Sequence, residues 1–209
     1  MTLADKITSS RLVLAPVFCV IYFLPKLFPS VFAYPPPIAG WNFDFSGAAW
    51  TIPVLIILFV AAQLSDLFDG IVARKQKEVS DFGKLYDPFA DTLTQITFFF
   101  CFVIDGILPP VLFLIVLYRE FSILFVRNLM LKKGISMGAR LGGKIKTVTY
   151  VVCGSIALLA SSVLRVGMGG NIYLWVCLAA KLVFAISVII AVISFFDYVS
   201  IYVKTPQKN

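Results

Sequence analysis

Four aspartates carry the chemistry that this sequence can do. Asp66 and Asp69 lie three apart at the end of a long apolar run, and Asp87 and Asp91 lie four apart just beyond it. On a helix, spacings of three and four put each pair on one face, and Gly70 and Ala73 continue the face of the first pair. The thirteen residues from Arg74 to Tyr86 let the two helices run antiparallel, so the four carboxylates converge at one depth. Unpaired negative charges at that density repel one another and resist burial, and bound cations relieve both effects. Oxygen-only ligands suit magnesium, manganese or calcium, and shared carboxylates can hold two ions. The chain contains no His, which excludes imidazole metal ligands and His acid–base catalysis and leaves proton transfer to carboxylates, Lys, Tyr or Cys. Gly70, Ala73 and Gly83 keep the backbone open to the close approach of a planar ring or a phosphate. Each acid taken alone has an ordinary alternative: Asp87 before Pro88 reads as a helix N-cap, and Asp66 as one half of a helix-end ion pair. Four acids in register beside a membrane-like segment are not covered by that alternative.

The elements that position these residues are transmembrane helices. Hydrophobic residues make up 60% of the 209 residues and charged residues only 14%, and the mean hydropathy is +0.94, a composition that excludes an ordinary water-soluble domain. Apolar stretches near the ~20 residues that cross a bilayer are separated by short polar or Pro/Gly-rich segments. They predict six spans, near residues 11–33, 50–73, 88–106, 109–131, 145–165 and 172–203. The fold class is therefore all-α integral membrane, a single membrane domain over 1–209, with 1–10 as a short interfacial helix, six spans over 11–203 and a tail at 204–209. The first run has the length of a signal-peptide core, but Pro16 and Pro25 without a small-residue cleavage pattern favour a retained span. The "YPPPIAGWNFDFSG" stretch reads as a stiff outer loop.

The net charge of +7 is a topology signal and not a nucleic-acid footprint. Arg74, Lys75, Lys77 and Lys84 crowd one connection, Arg127, Lys132, Lys133, Arg140, Lys144 and Lys146 another, and Lys6, Arg11, Lys204 and Lys208 flank the termini. The positive-inside rule places both termini, both basic connections and the acidic cluster on the cytoplasmic side, at the ends of spans two and three. Cys19, Cys101, Cys153 and Cys177 are scattered singly in apolar runs and suit buried small hydrophobes.

The segment "DLFDGIVARKQKEVSDFGKLYDPFAD" resembles the signature of the CDP-alcohol phosphotransferases, D-x2-D-G-x2-A-R-x8-G-x3-D-x3-D, and matches it at Asp66, Asp69, Gly70, Ala73, Arg74, Gly83, Asp87 and Asp91. Within that family, "GKLYDPFAD", "YREF" (118–121), "LGGKIKTVTY" (141–150) and "KITSSRLVLAPVF" are most similar to the phosphatidylglycerophosphate synthases. Thr92 stands where those synthases usually have Lys, and Asp5 where they usually have Asn. The resemblance implies a homodimeric enzyme of the bacterial inner membrane that transfers a phosphatidyl group from CDP-diacylglycerol to glycerol 3-phosphate. It implies two magnesium or manganese ions on Asp66, Asp69, Asp87 and Asp91, with Asp91 also the general base. It further implies that Asp66, Gly70, Ala73, Arg74 and Gly83 hold the CDP moiety.

A phosphorylated acceptor needs cations of its own. Arg119 lies inside the fourth span, where an isolated guanidinium is expensive, and Glu120 beside it is expected to face elsewhere on the helix. Arg119, Lys144 and Arg140 are therefore the expected phosphate binders, although for the last two a topology role is an equal reading. The competing functions are the same chemistry with another acceptor (inositol phosphate, serine, choline, phosphatidylglycerol or diacylglycerol) and, from a different class, a cation-coupled transporter. The transporter predicts charges at mid-span and inverted repeats, whereas these acids cluster at one end.

Overall fold

The computed structural model describes residues 3–28, 48–76, 81–133, 141–168 and 170–204, and everything in them that repeats is helical. Six helices follow in order: α1 (Leu3–Leu27), α2 (Thr51–Gln76), α3 (Asp81–Ile104), α4 (Pro110–Lys132), α5 (Leu141–Arg165) and α6 (Asn171–Lys204). Helices are the expected outcome for such a sequence, because only a helix or a closed barrel satisfies every backbone group in an apolar solvent. Three segments are long and apolar enough to cross a bilayer, Ile7–Leu27, Gly142–Arg165 and Asn171–Lys204, and α2 adds a shorter apolar stretch, Thr51–Asp66. In α3 and α4 the apolar run is interrupted by Asp87 and Asp91 and by Arg119 and Glu120.

Packing divides the helices into two groups joined through α3. One is α1 against both α2 and α3; the other is α6 against both α5 and α4, while α3 also touches α4 and α5, and α2 touches α5. The interior between them is aromatic. Phe18 meets Phe98 edge-on at 4.6 Å, and Phe99 meets Phe184 at 5.0 Å and Tyr150 at 5.2 Å, contacts in which the positive ring edge faces the negative ring face. Gly154 lies where a Cβ would come within 3.0 Å of Phe59 Cζ, so the missing side chain is what lets α2 approach α5. The exterior is apolar as well, with Val13, Ile57, Val111, Trp175, Ile193 and Phe196 all exposed. An apolar outside around an interior that buries Arg11, Arg119 and Glu120 is the arrangement that a lipid solvent selects.

Two expectations change. The amino-terminal residues are not set apart from the first apolar run: α1 is continuous from Leu3 with Pro16 and Pro25 inside it. The side chains of Thr8 and Arg11 are buried, so one face of this stretch of α1 is turned toward the interior. Helix α3 begins at Asp81, so Pro88 lies inside it, and Asp87 is a helical residue and not an N-cap. At the other end, Gly106 with φ +70° makes a turn that leads through Pro109 into α4, whose first residue is Pro110; a left-handed glycine followed by a proline at N1 is an economical stop and restart.

Asp105 is the hub of that end. Its buried carboxylate accepts from the Tyr22 hydroxyl at 2.6 Å and pairs with Lys26. Arg165 donates to the Thr51 hydroxyl and to the Tyr22 carbonyl, each at 2.8 Å, tying α5 to α2 and α1. Fifteen helical residues separate Arg11 from Lys26 on α1, a rise of ~22 Å, so this cluster and the acids stand at opposite ends of the bundle.

Candidate active site

The acids are joined by α1 rather than directly to each other. Arg11 Nη1 donates to Asp66 Oδ1 at 2.9 Å and also to Asp91 Oδ1, so one cationic atom is shared by carboxylates from α2 and α3. Asp87 accepts a hydrogen bond from the Thr8 hydroxyl at 2.7 Å. The Ser9 and Tyr86 hydroxyls are 2.9 Å apart, and the Ser65 hydroxyl donates to the Ile7 carbonyl at 3.1 Å. The polar run "TSSR" is thus read by both acid-bearing helices: Thr8 and Ser9 face α3, Ser10 and Ser65 approach to 3.2 Å, and Arg11 reaches both.

The convergence expected of four carboxylates is seen for Asp66 and Asp91, with Asp87 one turn from Asp91 on α3 and held by Thr8. Asp69, Gly70, Ala73 and Arg74 lie on α2 in the expected helical register, but their side chains fall outside the described residues, and Gly83 is buried near the start of α3. Among the described residues no cluster of three acids forms. Asp66 and Asp91 nevertheless fit a shared hard cation, because their oxygens already approach a single charged nitrogen and are otherwise half-exposed to solvent, with side chains 39% and 47% exposed.

These carboxylates open onto a cavity of about 250 Å³ whose wall contains residues of all six helices. Arg11, Asp66, Asp91 and Thr92 line it, as do Arg119, Arg127, Lys144 and Lys146. On α4 the residues 119, 123 and 127 recur at intervals of four, which places Arg119 and Arg127 on one face, two turns apart. A methyl group at Gly143 would stand 3.5 Å from the Tyr198 hydroxyl, in ordinary contact with it. Five lining cations, Arg11, Arg119, Arg127, Lys144 and Lys146, against three carboxylates, Asp66, Asp91 and Glu120, leave the cavity a surplus of positive charge suited to a phosphate dianion.

The expected phosphate binders fare differently. Arg119 and Lys144 line the cavity; Arg140 lies outside the described residues. The expectation that Glu120 faces away from Arg119 is wrong: Arg119 Nη1 donates to Glu120 Oε1 at 2.8 Å, and both side chains are nearly fully buried. The guanidinium of a long side chain folds back across the one-residue offset, which helical spacing of Cβ atoms does not capture. Arg11, Arg127 and Lys146 read in the sequence as topology charges, and Tyr150, Tyr198 and Gln95 carried no signal. For Arg127 a signal did exist in its spacing of eight from Arg119. Two buried donors on the cavity wall, Arg127 Nε and Gln95 Nε2, have no partner within the described protein, the condition expected of groups that wait for a ligand or water.

The family model described as CDP-alcohol phosphatidyltransferase matches residues 1–193 of the chain. Over 203 residues, covering 97% of this chain and 89% of the relative, the sequence is 34% identical to the CDP-diacylglycerol–glycerol-3-phosphate 3-phosphatidyltransferase of Treponema pallidum. The protein of the same name from Bacillus subtilis is 31% identical over 161 residues, 75% of this chain and 76% of that one. Its namesake from Rickettsia felis is 31% identical over 123 residues, 57% of this chain and 68% of that one.

Proposed function

We propose, from the premise that this chain belongs to the CDP-alcohol phosphatidyltransferase family, that it transfers a phosphatidyl group from CDP-diacylglycerol to glycerol 3-phosphate and releases CMP. The observation that supports this reading is that one cavity is lined both by the carboxylates Asp66 and Asp91 and by the cations Arg119, Arg127, Lys144 and Lys146. The carboxylates suit the reacting hydroxyl, and the cations suit the acceptor's phosphate.

In this reading Asp91, half-exposed at the cavity, takes the proton of the acceptor hydroxyl. The hydroxyl oxygen forms a bond to the lipid-side phosphorus as the bond from that phosphorus to the bridging oxygen breaks, and the electron pair leaves with CMP. Asp91 then returns its proton to solvent. Asp66, Asp69, Asp87 and Asp91 would hold two divalent ions, magnesium or manganese, which supply charge neutralisation on the diphosphate when bound. Arg74 with the small residues Gly70, Ala73 and Gly83 would hold the CDP moiety against α2 and the start of α3. Thr8 keeps Asp87 oriented, and Arg119 with Lys144 and Arg140 binds the acceptor phosphate. Arg127, with its unpartnered Nε, is added to that set by the geometry.

The same reading makes the whole chain one membrane domain with six spans, supported by the burial of Arg119 and Glu120 in α4 and by the exposure of apolar residues such as Phe100 of α3 and Val111 of α4. The basic residues at the acid end place that end and both termini in the cytoplasm. A homodimer in a bacterial inner membrane follows the family resemblance.

The test is CMP release by purified protein given CDP-diacylglycerol, magnesium and each acceptor in turn, with a chelator control. Magnesium-dependent release with glycerol 3-phosphate is expected. Release with another acceptor alone would change the product, and no release with any acceptor, together with ion uptake into sealed vesicles, would replace the enzyme with a transporter.

A further inference from the structure

Glu120 is a carboxylate on the wall of a cavity built to receive an anion, which on charge alone is the wrong group in the wrong place. Its environment resolves the contradiction. Oε1 accepts from Arg119 Nη1 at 2.8 Å, from Lys146 Nζ at 3.0 Å and from the Tyr150 hydroxyl at 3.1 Å. Oε2 accepts from Lys146 Nζ at 3.1 Å. Both donating cations line the cavity, as does Tyr150. Glu120 belongs to α4, Lys146 and Tyr150 to α5, and Arg119 is held a second time through Nε, which donates to the Ala191 carbonyl of α6 at 3.0 Å. Three helices therefore meet at the Arg119–Glu120 pair.

We propose that Glu120 is a positioning residue for the acceptor: it fixes Arg119 and Lys146 on one carboxylate and thereby aims the remaining donor group of Arg119, Nη2, into the cavity. The inference rests on the acceptor reading given above. With Nε and one hydrogen of Nη1 engaged by protein oxygens, the plane of the guanidinium is set, and Nη2 keeps both of its hydrogens for a ligand. The carboxylate also offsets one of the two adjacent positive charges, which would otherwise repel each other at this depth. A lone buried ion pair of this kind would be weak evidence for stability and would be replaceable by apolar packing. What distinguishes a positioning role is that the damage from its loss falls on one substrate.

The experiment measures initial rates of CMP release over a matrix of glycerol 3-phosphate and CDP-diacylglycerol concentrations, for the wild type and for Glu120→Gln, Glu120→Asp and Tyr150→Phe. Glu120→Gln is expected to raise the KM for glycerol 3-phosphate by about tenfold or more, with the KM for CDP-diacylglycerol changed less than about twofold. Glu120→Asp is expected to recover part of the loss, because the charge remains but reaches the cations less well. Tyr150→Phe removes one of the bonds to Oε1 without touching a charge, and is expected to give a rise of about twofold to fourfold in the same constant. It keeps the question open to an answer where Glu120→Gln does not fold. An unchanged KM for glycerol 3-phosphate in the folded Glu variants, or in Tyr150→Phe alone, overturns the inference, as does an equal effect on both substrates. Failure of the acceptor reading itself looks different: the wild type would then release no CMP with glycerol 3-phosphate.

Discussion

Arg11 offers the sharpest test of how the acids are held. Its side chain is 2% exposed, while those of Asp66 and Asp91, which share its Nη1, are 39% and 47% exposed. Removing one partner of a fully buried ion pair costs ~3–5 kcal/mol. Here the two abandoned carboxylates regain part of their hydration, which reduces the figure to about 1–3 kcal/mol for Arg11→Gln. At ~2–4 °C per kcal/mol for a chain of this size, the metal-free variant is expected to melt roughly 2–12 °C below the wild type. A divalent cation supplies the neutralisation that the guanidinium gave, and in the variant it has no resident charge to compete with. Magnesium at about one hundred times its Kd adds ~2.7 kcal/mol of stability to any protein that binds it only when folded. The magnesium-induced rise in Tm at a fixed sub-saturating concentration is therefore expected to be larger in Arg11→Gln than in the wild type. The assay is thermal unfolding in detergent, run with chelator and across a magnesium titration, with Arg11→Lys as the variant that keeps a charge. An equal or smaller rise in Arg11→Gln would refute the idea that Arg11 and a cation address the same two oxygens.

Asp91→Asn is expected to lower CMP release by at least ~100-fold, the usual contribution of a positioned base, while the variant melts within a few degrees of the wild type; near-normal turnover would remove Asp91 from the proton transfer. Gly154→Val places a branched side chain where even a Cβ comes within 3.0 Å of Phe59, and is expected to cost about 1–3 kcal/mol of stability through overpacking, read as a lower Tm. Asp105→Asn weakens the buried cluster with Tyr22 and Lys26 at the far end of the bundle. It is expected to lower stability by about 1–3 kcal/mol and to leave both substrate KM values unchanged; a selective effect on either KM would show coupling along α1.

The helical class of the fold and the family were legible because they are local properties. Apolar run length and composition dictate helices in an apolar solvent, and the register of Asp66, Asp69, Gly70, Ala73 and Arg74 is fixed by spacing along one helix. The start of α3 was less legible: Asp87 and Pro88 carry a plausible N-cap signal, yet the helix begins at Asp81 and holds Pro88 inside it, where the ring forgoes one i→i−4 hydrogen bond that local sequence rules would have the helix avoid. The amino-terminal segment looked separable because its residues are polar, and polarity alone does not distinguish a surface from the wall of a buried site.

What the sequence by itself determined is the inventory of the acid end: which carboxylates exist, on which helices, and that imidazole is absent both as a metal ligand and as a base. Only the tertiary structure decided what those acids meet. That α1 reaches both acid-bearing helices, so that Arg11 reaches Asp66 and Asp91 while Thr8 takes Asp87, follows from packing between elements 55 to 80 residues apart, and helical periodicity contains no information at that range. The same holds for Glu120, whose partners come from its neighbour on α4 and from α5. Charge counting assigned Arg11, Arg127 and Lys146 to topology because a flanking cation and a site cation look alike in one dimension. They differ only in whether a folded neighbour removes their water, and that is a property of the packed bundle.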